Sequence, residues 1–166
     1  LQQTQQKPHE TRDNNIELGT INYWTYSTTA PVVTSAAANV ANGTYSLSWN
    51  SVGVDNLQNG TTVPPGLYGQ NCLIDFYYKG FDSNITVKAT DLTNTFASQV
   101  LTASTGFTQV KLNFVCPTSG SVYFQLVSGA DAAIGYVDEI HLGSANNLTD
   151  YNGAINYGTE AWADSE

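Results

Sequence analysis

Cationic side chains are scarce in this chain. Five lysines and arginines stand against fourteen aspartates and glutamates, and the formal net charge is −9. That balance argues against nucleic acid as a partner, because neutralising phosphates takes clustered cations. It equally disfavours an anionic membrane surface. Long apolar runs are missing too: no segment approaches the roughly 18 consecutive apolar residues of a spanning helix, so membrane insertion is not expected. Histidine is limited to His9 and His141. No H-E-x-x-H, G-x-S-x-G or C-x-x-C pattern occurs, which leaves metalloprotease, serine-hydrolase and zinc chemistry without their residues. Two of the many carboxylates could meet as a glycosidase pair, but no spacing singles out a couple. A non-enzymatic role is expected.

Neutral polar residues take the place of charge. Asn, Thr, Ser, Gly and Gln dominate, together with ten tyrosines, and only 11% of residues are charged. A hydroxyl- and amide-rich surface of this kind suits an extracellular or virion protein. Sequons at Asn42, Asn59, Asn84 and Asn147 could be glycosylated in a secreted eukaryotic protein, while so Asn- and Thr-rich a chain also produces such matches by chance. At 166 residues with 41% hydrophobic content, the length closes one core and is too short for two substantial domains.

Residues 1–13 hold one apolar side chain and no periodicity, which reads as a flexible arm or linker. From Ile16 to Leu142 the apolar period is two, broken by Gly, Pro, Asn and Ser clusters. Leu47 and Trp49 form one apolar set; Cys72, Ile74, Phe76 and Tyr78 form another. Ile85, Val87 and Ala89, then Val110, Leu112, Phe114 and Cys116, then Val122, Phe124 and Leu126 continue the series. Ala36-Ala37-Ala38 is long enough for a single helical turn. Short strands with one apolar face need a second sheet to cover it, so a two-sheet antiparallel β-sandwich of about eight to ten strands is expected, most simply a jelly roll. Gly53 to Gly69 reads as its longest irregular loop. Residues 144–166 are polar and acidic with isolated aromatics, a C-terminal extension suited to contacting a neighbouring subunit.

Three segments carry a family resemblance. Asn14-Asn15-Ile16-Glu17-Leu18-Gly19 followed by Trp24 resembles the opening N-x-x-F-E-x-G…W strand of jelly-roll carbohydrate-binding modules. Asn42-Gly43-Thr44-Tyr45-Ser46-Leu47 is similar to their small-Gly-x-x-Ser-Leu strand, and Tyr136-Val137-Asp138-Glu139-Ile140-His141-Leu142 to their closing strand. The likeness spans residues 14–143, and similar sandwiches occur in phage tail and fibre proteins. It implies a core role for Trp24. It also implies a structural Ca2+ held by the carboxylates of Glu17 and Asp138 with the backbone carbonyl near Gly43, oxygen donors that suit a hard cation. Ile16 stands where the family usually has Phe, and Glu139 where Asp is frequent. Without metal, Glu17 and Asp138 would instead accept hydrogen bonds from strand-end amides. Strand neighbourhood as in the family would bring Cys72 and Cys116 together on one face, either as a disulfide or as two buried thiols.

The outward set on these strands includes Asp75, Tyr77, Lys79, Lys111, Asn113, Tyr123 and Gln125. Aromatic rings beside amides and carboxylates are what sugar recognition needs. Asp75, Tyr77, Asn113, Tyr123 and Gln125 are therefore the expected ligand-binding residues, provided that their strands share one sheet. Two functions follow. One is a non-catalytic glycan-binding domain, of a virion tail, fibre or capsid-decorating protein, of another surface protein, or of a secreted glycoside hydrolase. The other is a purely structural domain, assembling with protein partners or copies of itself through the N-terminal arm and C-terminal extension.

Overall fold

The computed structural model describes residues 16, 19–63 and 65–145. The arm at 1–13, most of the 144–166 extension and Glu17 lie outside the described residues. Ten strands run in chain order: β1 (Thr25–Tyr26), β2 (Val32–Thr34), β3 (Ser46–Trp49), β4 (Asp55–Thr62), β5 (Asn71–Gly80), β6 (Ile85–Thr90), β7 (Thr95–Val100), β8 (Ser104–Val115), β9 (Ser121–Ser128) and β10 (Gly135–Ser144). They form two five-stranded antiparallel sheets. The first has the order β1-β4-β9-β6-β7 and the second β2-β3-β10-β5-β8. The expected two-sheet sandwich is the observed fold.

Alternation explains the layering. Leu57, Val87, Leu126 and Phe124 face inward from the first sheet, and Leu47, Trp49, Ile74, Phe76, Leu112, Val137 and Leu142 from the second. Rings interlock at the centre: Phe124 sets its edge against Phe76 at 4.9 Å and against Trp24 at 6.0 Å, the offset and edge-on geometries that ring quadrupoles favour. Trp24 is buried, as the resemblance implied. The Ala-rich stretch makes a single 3-10 turn at Ala37–Asn39.

The Gly53–Gly69 loop is a correction. Eight of its residues are strand β4, central to the first sheet between β1 and β9. Its inward positions are Asp55, Leu57 and Asn59, so only one apolar residue marks the core side and the period-two signal vanishes. Asp55 makes the strand possible. Its buried carboxylate accepts the Ser27 hydroxyl at 2.7 Å and the Thr28 and Thr29 amides at 2.8 Å each, tying the turn after β1 to β4. Burial pushes the Asp55 carboxyl up, but the bonds from Ser27, Thr29 and Thr28 outweigh it and hold it below the usual range.

Candidate functional site

The two sheets turn very different outer faces to their surroundings. On the second sheet, register sets His141 opposite Asp75 and Asp75 opposite Lys111; beside them, Asp138 is opposite Tyr77 and Tyr77 opposite Gln109. A bulge makes this possible. Asp138 and His141 are three apart and could not both point outward from a regular strand; the register breaks between them, with Glu139 at φ 55°. His141 Nδ1 and Asp75 Oδ1 are 2.9 Å apart, and the two residues are 3% and 0% exposed. Ser46, Ser48, Leu73, Asp138 and Glu139 are buried as well. The middle of this face is closed around these buried side chains.

Asp138 is held by the backbone. Its Oδ2 accepts the amides of Ala41 and Asn42 at 3.0 and 3.2 Å, and its Oδ1 that of Glu139 at 2.9 Å. Desolvation, and then the neighbouring Glu139 charge, push its carboxyl up to about 8 despite those donors. The Ala41–Asn42 amides lead directly into Gly43, so two of the three residues expected to hold calcium are neighbours here; the third, Glu17, lies outside the described residues. Among the described residues no group of three or more His, Cys, Asp or Glu side chains could hold a metal ion. Oxygen chemistry at Asp138 suits a hard cation, though three N–H donors already occupy the carboxylate.

The first sheet is open. Its outer rows run Thr25–Gln58–Gln125–Lys88–Ser98, with Gly60–Tyr123–Thr90 on one side and Asn56–Val127–Thr86–Val100 on the other. Apart from Thr90, all of these are half-buried or exposed. Gln125 Nε2 donates to Gln58 Oε1 at 2.8 Å, which fixes both amides side by side. The Tyr123 ring lies across Gly60: a Cβ there would stand 2.4–2.7 Å from three ring carbons, closer than real atoms approach. Only glycine leaves room for the ring to rest on the sheet. None of these outer rows contains an Asp or Glu, in a chain with fourteen of them. The result is an aromatic ring seated on glycine, two bonded amides and a lysine, all half-buried on one surface.

The expected five-residue ligand set is thereby split. Asp75, Tyr77 and Asn113 belong to the second sheet, Tyr123 and Gln125 to the first, so they do not form one face. Asp75 is buried against His141, Tyr77 is half-buried, and Asn113 is exposed on the edge strand β8. Gln58 was not legible because its strand reads as a loop. Lys88 was legible as an outward lysine, but nothing in its own strand tied it to Tyr123 and Gln125. Cys72 and Cys116 face each other as buried free thiols.

No family model matches the sequence, and no curated protein does. Solved structures do match the fold. The module TmCBM61, determined with β-1,4-galactotriose, is 17% identical with a TM-score of 0.62, over 82% of this chain and 98% of its own. The C-terminal family 22 carbohydrate-binding module of Clostridium thermocellum Xyn10B is 13% identical with a TM-score of 0.56, over 90% and 100%. The enzymatically active domain of bacteriophage CBA120 tailspike protein 4 is 15% identical with a TM-score of 0.61, over 82% of this chain but 21% of that one. The chain therefore has the β-sandwich fold seen in carbohydrate-binding modules and within a phage tailspike.

Proposed function

We propose that the chain is a non-catalytic glycan-binding β-sandwich whose ligand lies on the outer face of the first sheet. The observation that carries this is the Tyr123 ring lying over Gly60, beside the bonded Gln58–Gln125 amides, on described rows that contain no carboxylate. A pyranose ring stacks its C–H face on Tyr123, while Gln58, Gln125 and Lys88 read its hydroxyls. Asp75, Tyr77 and Asn113 drop out of the site under this reading. Structures that share this fold include TmCBM61 with β-1,4-galactotriose and the joined CBM22-1 and GH10 modules of Xyn10B with xylohexaose, which makes those two oligosaccharides the first probes. The test is a glycan array followed by titration calorimetry on the parent and on Tyr123→Ala. Binding that Tyr123→Ala clearly weakens supports the site; binding unchanged in that variant overturns it.

The setting we infer is a virion or other extracellular surface, supported by the neutral polar composition and the likeness to a tailspike domain. Assembly through residues 1–13 and 144–166, with copies of itself or with protein partners, belongs to the same proposal. Its check is the solution mass by light scattering, where a monomer argues for a free binding module and a trimer or larger for a fibre or shell. The structural Ca2+ is proposed at Glu17, Gly43 and Asp138. A calcium-dependent rise in melting temperature that Asp138→Asn removes supports it, because a ligand bound only by the folded state stabilises that state.

A further inference from the structure

Cys72 and Cys116 are the two cysteines of the chain, and the second sheet brings them together. Cys72 lies in β5 opposite Phe114, and Cys116 follows directly on the end of β8, so the two are diagonal neighbours facing the core. A regular ladder keeps diagonal Cα atoms about 7–8 Å apart, at the limit of what a disulfide spans. The ladder is not regular here. Gly69, at φ 71°, donates its N–H to the Cys116 carbonyl at 3.0 Å, while the Cys116 N–H donates to the Gln70 carbonyl at 2.9 Å. Two residues thus oppose one, in a bulge that needs a left-handed glycine and steepens the local twist. Next to this bulge the two thiols interact across the sheet. Their contact holds the Cys72 thiol below its ordinary range, and that contact together with burial pushes the Cys116 thiol up.

We propose that Cys72 and Cys116 are a redox-modification site that closes to an intramolecular disulfide, with a small disulfide such as oxidised glutathione as the oxidant. Deprotonated Cys72 attacks one sulfur of the oxidant, breaking its S–S bond and releasing one glutathione thiolate. Cys116, deprotonated in turn, attacks the Cys72 sulfur of the mixed disulfide and expels the second glutathione as thiolate. The protein loses two electrons and two protons, and one oxidised glutathione becomes two reduced ones. Cys72 also borders a cleft of about 410 Å³ lined by Asn71, Asn113, Phe114, Val115 and Ala145. Its side chain is buried, so exchange proceeds through local opening or during folding. The new bond would tie three elements at one point, since Ser144 of β10 pairs with Cys72 and the Ala145 amide donates to the Asn71 carbonyl at 2.9 Å.

The test uses the whole chain, refolded in oxidised or in reduced glutathione buffer, checked by circular dichroism, and weighed intact before and after alkylation with iodoacetamide. Weighed before alkylation, oxidised protein should be about 2 Da lighter than reduced protein, the mass of two hydrogens; alkylated under denaturing conditions, only the reduced protein should gain about 114 Da, the mass of two carbamidomethyl groups. Its melting temperature should exceed that of the reduced form by on the order of 10 °C, given the roughly 45-residue loop closed. The Cys72→Ala, Cys116→Ala double variant should melt alike in both buffers. Folded protein that emerges from the oxidising buffer with two alkylatable thiols overturns the proposal. So does glutathione retained on either cysteine, or a cross-linked form that melts no higher than the reduced one.

Discussion

The outer faces of the two sheets are built from similar residue types and have come to opposite ends. Both carry tyrosine, amide and lysine side chains on strands whose other side is core. On the second sheet an aspartate and a histidine were drawn into that face, and it is shut around them: Asp75, His141, Asp138, Ser46 and Ser48 are all buried. On the first sheet no acidic group enters the outer rows, and the side chains stay accessible. Buried polar groups must be satisfied within the fold, so they are committed to structure. Half-exposed amides held by one bond keep capacity for a ligand. Under the proposed function, stability is thus concentrated on one face and recognition on the other.

The largest effect expected is at Asp75. Asp75→Ala removes the buried carboxylate that His141 Nδ1 meets at 2.9 Å, and breaking this buried pair should cost about 3–5 kcal/mol in chemical denaturation. Ligand affinity of the folded fraction should not change. A stability loss under about 1 kcal/mol would mean that the second face is not closed around this pair, and the contrast would collapse.

Next comes the pH response of Asp138. Its folded-state carboxyl sits at about 8, far above the ordinary value near 3.9 that the unfolded chain retains. The folded state therefore binds the proton more tightly, and the favourable contribution is complete below about pH 4. It is lost as pH rises toward 8, so stability with chelator present should fall across that window. Asp138→Asn should flatten the decline. A chelated protein whose stability rises from pH 4 to 8 in parent and variant alike would remove this reading of Asp138.

On the first sheet the sizes shrink and the readout moves to binding. Tyr123→Ala should weaken glycan affinity by about 1–3 kcal/mol, as truncation of an aromatic anchor does. Gly60→Ala should reproduce much of that loss by lifting the ring off the sheet, although it leaves the tyrosine in place. If Gly60→Ala binds as tightly as the parent, then the ring's position over the glycine is not what prepares it for the ligand.

Much of this fold is legible in the chain because alternation is local. Ile74-Asp75-Phe76-Tyr77 and Val122-Tyr123-Phe124-Gln125 each declare which side is core without any knowledge of their neighbours. Alternation cannot say which sheet a strand joins, since the outward residues of both sheets are polar. That is why Tyr77 and Tyr123 look equivalent in sequence and lie on opposite sides of the molecule. Strand β4 hides for another reason. Its inward Asp55 and Asn59 are polar residues satisfied inside, and the groups that satisfy Asp55 are some 26–28 residues away.

The smallest predicted effect discriminates most finely between the two faces. Gln125 and Asn113 are both amides on outward positions, one on each sheet, and both were legible as sugar-reading residues. Gln125→Ala removes a single partly exposed bond to Gln58, so stability should shift by no more than about 0.5 kcal/mol. If Gln125 also reads a ligand hydroxyl, affinity should fall by about 0.5–1.5 kcal/mol, the net worth of an ordinary hydrogen bond. Asn113→Ala, on the edge of the other sheet, should change neither quantity. Calorimetry on the two variants side by side separates the faces without perturbing the core. Loss of affinity in Asn113→Ala, with Gln125→Ala unaffected, would transfer recognition to the second sheet's exposed edge, where Asn113 and Lys111 remain accessible beside the closed centre.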